Sequence, residues 1–357
     1  MTETEVPFPE KGSSSIVRTT HLGGGLRCSI ELTASRIDVW PLPNNSSVQI
    51  DLEDMTEFVC ALEARGIEVI GIEESVAFPH RRFTTLWQVS PHIFGEVDIE
   101  RNPVSFWSGI KAAAREASNW KLDALSSSIA FSLTAMERHL LFLSNEYHRE
   151  LRSALERGTK PKDRFASIET YDLWLAIHAF LLAAGSARDY LAQALVEFVF
   201  RDEISKIISD NRKERKPDSM SILLKKGKEY GFLGEKLIGI LLMEANEKTD
   251  RTAWMANMSE FRNLITHRAP ITQISKNNRL ELIHTGSFGE HDILQIVLPL
   301  PKEPRCIERS SLVDALALMR YYNERMADLS LEVGRLMPCP PKSIALNENE
   351  IISIEPL

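Results

Sequence analysis

The chain has 357 residues, with 42 Lys and Arg against 50 Asp and Glu, and its formal net charge is −8. This length allows two domains and a sizeable core. The acidic balance excludes a protein that coats nucleic acid over its whole surface, although it remains compatible with a local basic groove. Hydrophobic and charged fractions of 43% and 26% are typical of globular proteins.

The cysteines and the apolar segments exclude further classes of protein. The four cysteines lie far apart and form no CxxC pair, so the sequence contains neither a zinc knuckle nor a redox motif of that type, and we expect free thiols. The strongest apolar runs, 176–184 and 237–243, are much shorter than the roughly 20 residues of a membrane span. Residues 1–11 are acidic and lack the apolar core of a secretion signal. The sequence therefore predicts a soluble, cytoplasmic protein without membrane contact, metal or other cofactor.

The N-terminal part predicts a tail followed by a small α/β domain. Residues 1–25 contain serine and glycine triplets that offer nothing to bury, so they predict a flexible tail. Residues 26–104 predict the small domain, with a helix over 54–65 whose apolar side chains share one face. Residues 75–105 contain three prolines and predict an irregular link. The predicted strands of this domain are 27–32, 35–40, 48–52 and 67–72.

From about residue 105 the apolar residues recur with a helical period, which predicts a mainly α-helical bundle over 105–337. One long helix carries the stripe from Ile129 to Leu151 and ends at Gly158. Shorter helices over 219–243 break near Gly231 or Gly234. The remaining predicted elements are a long helix over 167–209, a helix ending before Pro270, a β-hairpin insertion over about 279–298 that turns around Gly286 and Gly289, a final helix over 310–336 and an extended tail over 338–357. The predicted fold class is α+β.

The helix that ends before Pro270 carries the residues most suited to chemistry. Its predicted buried stripe consists of Trp254, Met258, Phe261 and Ile265, and Arg262 lies on the flank of that stripe. His267 follows five residues after Arg262, which is about 140° further around an ideal helix. The two side chains therefore converge only if the last turn unwinds before Pro270, or if two copies of the chain pool their residues.

Arg262, the polar Asn263 and His267 match the motif of the HEPN superfamily, in which an arginine and a polar residue precede a histidine after four to six intervening positions. The segment Phe180–Tyr190 is similar to the HEPN helix that directs small and polar residues, here Ser186 and Asp189, towards the motif. The resemblance covers about residues 119–335, and it implies a helical bundle of a kind that often acts as a toxin or immunity effector.

The resemblance implies a metal-independent endoribonuclease, in which the RNA 2′-OH attacks the adjacent phosphate and leaves a 2′,3′-cyclic phosphate and a 5′-OH. His267 would transfer protons and Arg262 would bind the phosphate, roles that suit an imidazole and a guanidinium. Asn263 would orient the phosphate or ribose, and Asp189 would hold Arg262 in place. HEPN sites commonly form across a homodimer, and an antitoxin or activator protein is a further implied partner. Ala269 occupies the position at which some HEPN toxins carry a modified tyrosine, which argues against silencing by that modification.

Alternatives to catalysis remain open at this point. Arg262 also suits a bundle salt bridge with Asp189 or Glu260, and His267 suits a helix C-terminus. A non-catalytic HEPN-like binding or scaffold protein is therefore the alternative prediction. A locally basic region suits either a track for the RNA backbone or a solvated loop. Its residues are Arg212, Lys213, Arg215, Lys216, Lys225, Lys226 and Lys228.

Overall fold

The structure, a computed structural model, has an α+β fold, which confirms the general fold class expected from the sequence. It describes residues 15–31, 36–43, 46–51, 60, 62, 64–78, 81–89, 102–167, 170–210, 214–246, 253–267, 279–288, 290–301 and 312–342. The strands are β1 (Ser15–Leu22), β2 (Arg27–Glu31), β3 (Arg36–Leu42), β4 (Ser46–Asp51), β5 (Val69–Phe78), β6 (Arg81–Val89), β7 (Arg164–Phe165), β8 (Leu280–Phe288), β9 (His291–Val297), β10 (Pro299–Pro301) and β11 (Leu312–Asp314). The helices are α1 (Pro103–Glu116), α2 (Trp120–Glu156), α3 (Thr170–Ala194), α4 (Arg201–Asp210), α5 (Met220–Tyr230), α6 (Leu237–Asn246), α7 (Trp254–His267) and α8 (Ala315–Gly334).

The N-terminal strands form one six-stranded sheet in the order β4-β3-β2-β1-β5-β6, and every pairing in it is antiparallel. The prediction of a flexible tail over residues 1–25 is wrong for residues 15–25, because β1 lies inside this sheet between β2 and β5. Its Ile16, Val17, Thr19 and Thr20 are β-branched residues that favour strands. The serine and glycine triplets on either side concealed this strand from a reading based on composition.

The expected irregular link over 75–105 is also corrected, because β5 extends to Phe78 and β6 covers Arg81–Val89. Pro103 is the first residue of α1, a position where proline is favoured because the missing N–H would have no helical partner. Asn102 caps this helix by accepting a hydrogen bond from Ser105 N at 2.9 Å. Of the predicted helix over 54–65, Cys60 and Leu62 are helical, and 54–59, 61 and 63 lie outside the described residues.

Most of the helical predictions hold, but the final helix predicted over 310–336 begins only at Ala315, because residues 312–314 form β11. Helix α2 has 37 residues and ends at Glu156, two residues before Gly158, where the sequence predicted its end. The single helix predicted over 167–209 is instead α3 and α4, which are separated by a π turn at Leu195–Val199. Between α5 and α6 the chain turns at Gly231, which has a φ of 76°.

The conformation of Gly231 gives a prediction for stability. Replacing Gly231 with alanine is expected to lower the free energy of unfolding by about 1 kcal/mol, because an L-residue is strained in the left-handed region. A Cβ at Gly231 would meet no atom within 4 Å, so the change in the free energy of unfolding measures backbone strain without a steric clash. Gly234→Ala is the matched control, since that Cβ is equally unobstructed and Gly234 has no positive φ. Urea unfolding followed by circular dichroism measures both, and equal effects in the two variants would contradict the expectation.

The predicted β-hairpin is confirmed as β8 and β9, with β7 added along the edge of β8. Glu290 lies in the turn, beyond Gly286, which was expected to be part of it, and Gly289 lies outside the described residues. Gly286 instead lies within β8 at a shift in strand register, with a φ of 149°, as in a β-bulge.

The described residues belong to two compact units that do not coincide with the predicted domains 26–104 and 105–337. The N-terminal sheet lies in the unit that also contains residues 136–182 and 257–324. In the second unit, which begins at residue 95, Trp107 Nε1 donates to Ser330 O at 3.2 Å, and Gly334 leaves room for the Phe106 ring. The first unit contains 1–94, 136–182 and 257–324, and the second contains 95–135, 183–256 and 325–357.

Candidate functional site

Helix α7 places the predicted motif as the apolar pattern requires. Trp254, Met258 and Phe261 are buried, which confirms those three positions of the stripe, while the side chain of Ile265 lies outside the described residues. Arg262 is half-buried and Asn263 is exposed, so both lie beside the buried face.

The end of α7 limits how the motif can be assembled. The helix continues through His267, its last residue, so the turn between Arg262 and His267 is not unwound. The two backbone positions are therefore about 140° apart around the helix axis. Of the two arrangements that the sequence allowed, the one that relies on unwinding between these residues is removed. Pooling of residues between two copies of the chain stays a prediction.

Asp189 and Ser186 lie on α3, both half-buried. The Asp189 carboxylate accepts hydrogen bonds from Arg188 Nε at 3.0 Å and Nη2 at 2.8 Å, and from Met220 N at 3.2 Å. Because Met220 begins α5, this carboxylate satisfies an amide that has no partner within that helix. The predicted role of Asp189 towards Arg262 stays a prediction.

The predicted basic region contains structural ion pairs as well as exposed cations. Lys226 is buried and pairs with Glu214, and Lys216 pairs with Glu197, which also binds Lys121. These carboxylates offset part of the positive charge that an RNA backbone track requires. Arg215, Lys216, Lys225 and Lys228 are exposed, and Arg212 and Lys213 lie outside the described residues.

A polar cluster that the sequence did not predict lies where the N-terminal sheet meets α2. We call this cluster the buried junction, and it consists of His21, Arg27, Glu73, Ser144 and His148. His21 Nδ1 lies 3.1 Å from Ser144 Oγ, and its Nε2 lies 3.0 Å from Glu73 Oε2. Because a carboxylate can only accept, Nε2 carries the proton and Ser144 Oγ donates to Nδ1. The Trp87 ring packs edge-on against His21, with centroids 4.8 Å apart.

Arg27 attaches β2 to the middle of α2. Its guanidinium donates through Nη1 to Ser144 Oγ at 3.2 Å, and through Nη2 to Ser144 O at 2.8 Å and Asn145 Oδ1 at 3.0 Å. The side chain is buried, and this burial lowers the pKa of Arg27 to about 9. A buried guanidinium is tolerated only when its donors are satisfied, and these acceptors satisfy several of them.

The glycine triplet lets the chain pass close to both neighbouring elements. Gly25, with a φ of 91°, approaches α2 so closely that a Cβ there would lie 2.4 Å from Tyr147 O. A Cβ on Gly24 would lie 2.3 Å from the Cβ of Gln295 in β9. Gln295 Nε2 donates to Gly23 O at 2.8 Å, and His148 Nδ1 donates to Gly25 O at 2.8 Å. The triplet that suggested a tail is therefore a tightly packed turn.

A second buried contact ties α2 to the start of α8. Tyr147 OH donates to Asp314 Oδ1 at 2.7 Å, and the same oxygen accepts from Leu298 N at 3.0 Å. Asp314 Oδ2 accepts from Ala317 N at 3.3 Å, as an N-terminal cap of α8 does. Burial raises the pKa of Asp314 to about 6.

The order Ser144–His21–Glu73 resembles a hydrolase triad in its hydrogen bonds, but its exposure argues against catalysis. The serine and the histidine are each 0% exposed, so no substrate carbonyl can reach the hydroxyl without a rearrangement. The buried junction therefore has a structural role in this conformation. The sequence offered one signal for it, the pairing of His21 and Arg27 on either side of the glycine triplet.

The described residues also bear on metal binding and on membrane crossing. They include no group of three or more His, Cys, Asp or Glu placed to hold a metal ion. None of the helices in the described part of the chain combines the length and the apolar character that a membrane crossing requires.

Comparison with known proteins gives one limited similarity. No family model matches the chain, and no solved structure matches it. The chain is 27% identical over 128 residues to the inner tegument protein of Gallid herpesvirus 2 (strain Chicken/Md5/ATCC VR-987). The match covers 35% of this chain and 11% of the viral protein, so the chain spans about a tenth of that relative's length. A likeness of this identity and extent does not assign the chain to a family.

Proposed function

We propose that the chain is a HEPN-like, metal-independent endoribonuclease that is active as a homodimer. The observation that carries the proposal is the position of the motif on α7. Its buried face is occupied by Trp254, Met258 and Phe261, which leaves Asn263 exposed and Arg262 half-buried beside it. His267 follows at the end of the helix, where the dipole favours a cationic imidazole.

The proposed chemistry follows from these residue types. Arg262 binds the scissile phosphate through its planar fork and stabilises the charge that develops there. His267 transfers a proton to or from the ribose 2′-OH or the leaving 5′-oxygen. Asn263 orients the phosphate or the ribose. The products are a 2′,3′-cyclic phosphate and a 5′-OH, and no metal takes part in the reaction.

Two copies of the chain supply the site in this proposal. An intact helix through His267 separates the two backbone positions by about 140°, which favours residues pooled from two chains. Helix α3 supports dimerisation because residues 173–187 contain no charged side chain. Tyr171 and Leu175 on this helix are 66% and 59% exposed, and an apolar surface of this kind is typical of a contact with another protein.

The catalytic prediction is tested with the purified full chain and radiolabelled RNA in excess EDTA. We expect cleavage that leaves 2′,3′-cyclic phosphate ends, and a loss of about hundredfold or more in Arg262→Ala and in His267→Ala. Arg335→Ala and His291→Ala are matched controls, because both residues are exposed and lie outside the motif, and they should retain wild-type cleavage. Unchanged cleavage in both motif variants, or cleavage that EDTA abolishes, would reject the proposal.

Mixed dimers test whether two chains share the site. When Arg262→Ala and His267→Ala chains are co-expressed, each mixed dimer has one site with an intact arginine from one copy and an intact histidine from the other. We expect partial recovery of cleavage in these mixed dimers. No recovery would show that each site is built within one chain.

A non-catalytic binding or scaffold protein is the second candidate. The exposed apolar side chains of α3 favour it, and the similar viral protein bears the name of a tegument component, which describes no enzymatic activity. A dimer in light scattering that leaves every tested RNA intact would favour this candidate.

A further inference from the structure

The buried junction joins elements that are distant in sequence, because β1, β2 and β5 contact α2 through it. His21 bonds to Ser144 and to Glu73, and Arg27 bonds to Ser144 and Asn145. His148 reaches back from α2 to the carbonyl of Gly25. The attachment of β1 and β2 to α2 therefore depends on two histidines that are hydrogen-bonded in their neutral forms, the buried His21 and the half-buried His148.

Burial and the nearby Arg27 oppose a further proton on these histidines, and they outweigh Glu73, which favours a proton on His21. Among the described residues, the charged and titratable groups that face His21 are Arg27 from β2, Glu73 from β5 and His148 from α2. His148 faces Arg27 and, on its own helix, Arg152. With both histidines neutral, the positive charge of Arg27 is balanced by Glu73. Protonation of both histidines adds two positive charges beside the buried guanidinium of Arg27.

The hydrogen bonds also depend on the protonation state. In the neutral form, His21 Nδ1 accepts from the Ser144 hydroxyl. A second proton on His21 would occupy Nδ1, which would then be a donor facing the hydrogen of the Ser144 hydroxyl. The hydroxyl would have to rotate away. Because Ser144 Oγ also accepts from Arg27 Nη1, this change affects the contact of β2 with α2 as well.

We propose that the buried junction is an acid-sensitive attachment, which holds β1 and β2 on α2 while His21 and His148 are neutral and releases them when both are protonated. This proposal does not rest on the ribonuclease proposal, since it concerns other residues and its test uses no RNA.

The direction of the effect follows from the two histidines. Burial first, and then the nearby Arg27, lower the pKa of His21 to about 3 and that of His148 to about 4. In the released state both return to about 6.5. The neutral forms therefore stabilise the attached state fully above about pH 6.5. As the pH falls from there towards about 4, each histidine shifts the equilibrium towards release by about tenfold per pH unit.

Hydrogen exchange of the full chain at about pH 7 and about pH 5, corrected for intrinsic exchange rates, measures this release. We expect the protection of amides in β1, β2 and residues 140–152 to fall by about tenfold or more per pH unit below pH 6.5. Amides of α5 and α6 contain no junction residue and serve as the internal control. Their protection should remain constant after correction.

Glutamine variants show whether the histidines cause the response. His21→Gln with His148→Gln keeps polar side chains but removes both titrating groups, and the pH dependence should disappear. If that variant does not fold, His148→Gln alone should reduce the pH dependence of protection by about tenfold per pH unit, because one proton fewer is taken up on each release. His178→Gln, at a half-buried position on α3, is the matched control and should keep the full response. The proposal is overturned if protection stays constant with pH, if the glutamine variants keep the full response, or if α5 and α6 lose protection equally.

Discussion

Replacing Arg27 with methionine is expected to lower the free energy of unfolding by about 3 kcal/mol or more. Methionine fills much of the same volume but donates no hydrogen bond. The Ser144 carbonyl and the Ser144 hydroxyl would each lose a partner at a buried position, while Asn145 Oδ1, which belongs to an exposed residue, would lose one that water can replace. Glu73 would also lose the favourable charge of the guanidinium, which acts on it through the buried junction.

Arg18→Met is the matched control for this substitution. Arg18 lies on β1, and its side chain is 59% exposed while it pairs with Glu74. Exposed pairs of this kind contribute about 1 kcal/mol or less. Urea unfolding of the two variants should therefore separate them by about 2 kcal/mol or more. Equal midpoints and slopes would show that Arg27 does not hold the sheet on α2.

Replacing Asp314 with alanine is expected to destabilise the fold by about 3–4 kcal/mol, because three buried donors lose their acceptor. These donors are Tyr147 OH, Leu298 N and Ala317 N, so α2, the segment before β10 and the first turn of α8 are all affected. Tyr147→Phe is the comparison, since it keeps the bonds of Leu298 N and Ala317 N to Asp314 and removes only the Tyr147 hydroxyl, together with the bond that this hydroxyl accepts from Leu316 N at 3.3 Å. It should cost about 1–2 kcal/mol. A similar loss in both variants would contradict the role of Asp314 as a shared acceptor.

The pH dependence of Asp314 runs opposite to that of the histidines. Burial raises the pKa of Asp314 from 3.8 to about 6, so the folded chain holds this proton more tightly than the unfolded chain. This contribution to stability is present below about pH 4 and is lost as the pH rises towards about 6. Relative to Asp314→Asn, the wild-type chain should therefore lose about 1.4 kcal/mol per pH unit in that window. A constant difference between the two would contradict the raised pKa.

The sequence predicted elements whose pattern is local. The apolar period located α2 and α7, and the alternation around 279–298 located the hairpin. β1 and β6 were missed because one follows a serine triplet and the other lies among prolines that fall between elements. The π turn was also missed, since its extra residue breaks a helical period without a glycine or a proline to mark it.

The candidate site was predictable only as a motif on a helix. Arg262 and Asn263 lie at the side of α7 that the apolar stripe leaves open, as the period requires. The buried junction was not predictable, because its partners are distant in sequence, with His21 separated from Glu73 by 52 positions and from Ser144 by 123. A short pattern such as His-Leu-Gly-Gly-Gly-Leu-Arg shows which residues are polar, but it does not show which helix will receive them.

The π turn at Leu195–Val199 determines which face of α4 is buried. One extra residue in a turn rotates the next helix by about 100° relative to an uninterrupted one. Lys236 stabilises this geometry by donating to Val199 O at 2.5 Å while lying 5.0 Å from the centre of the Phe200 ring. Ile204 and Ile207 are buried in α4 because of that rotation. Deletion of one residue from this turn would leave a helical sequence, but it would rotate those isoleucines towards water. The number of residues in the turn therefore matters more for the packing of α4 than their identity.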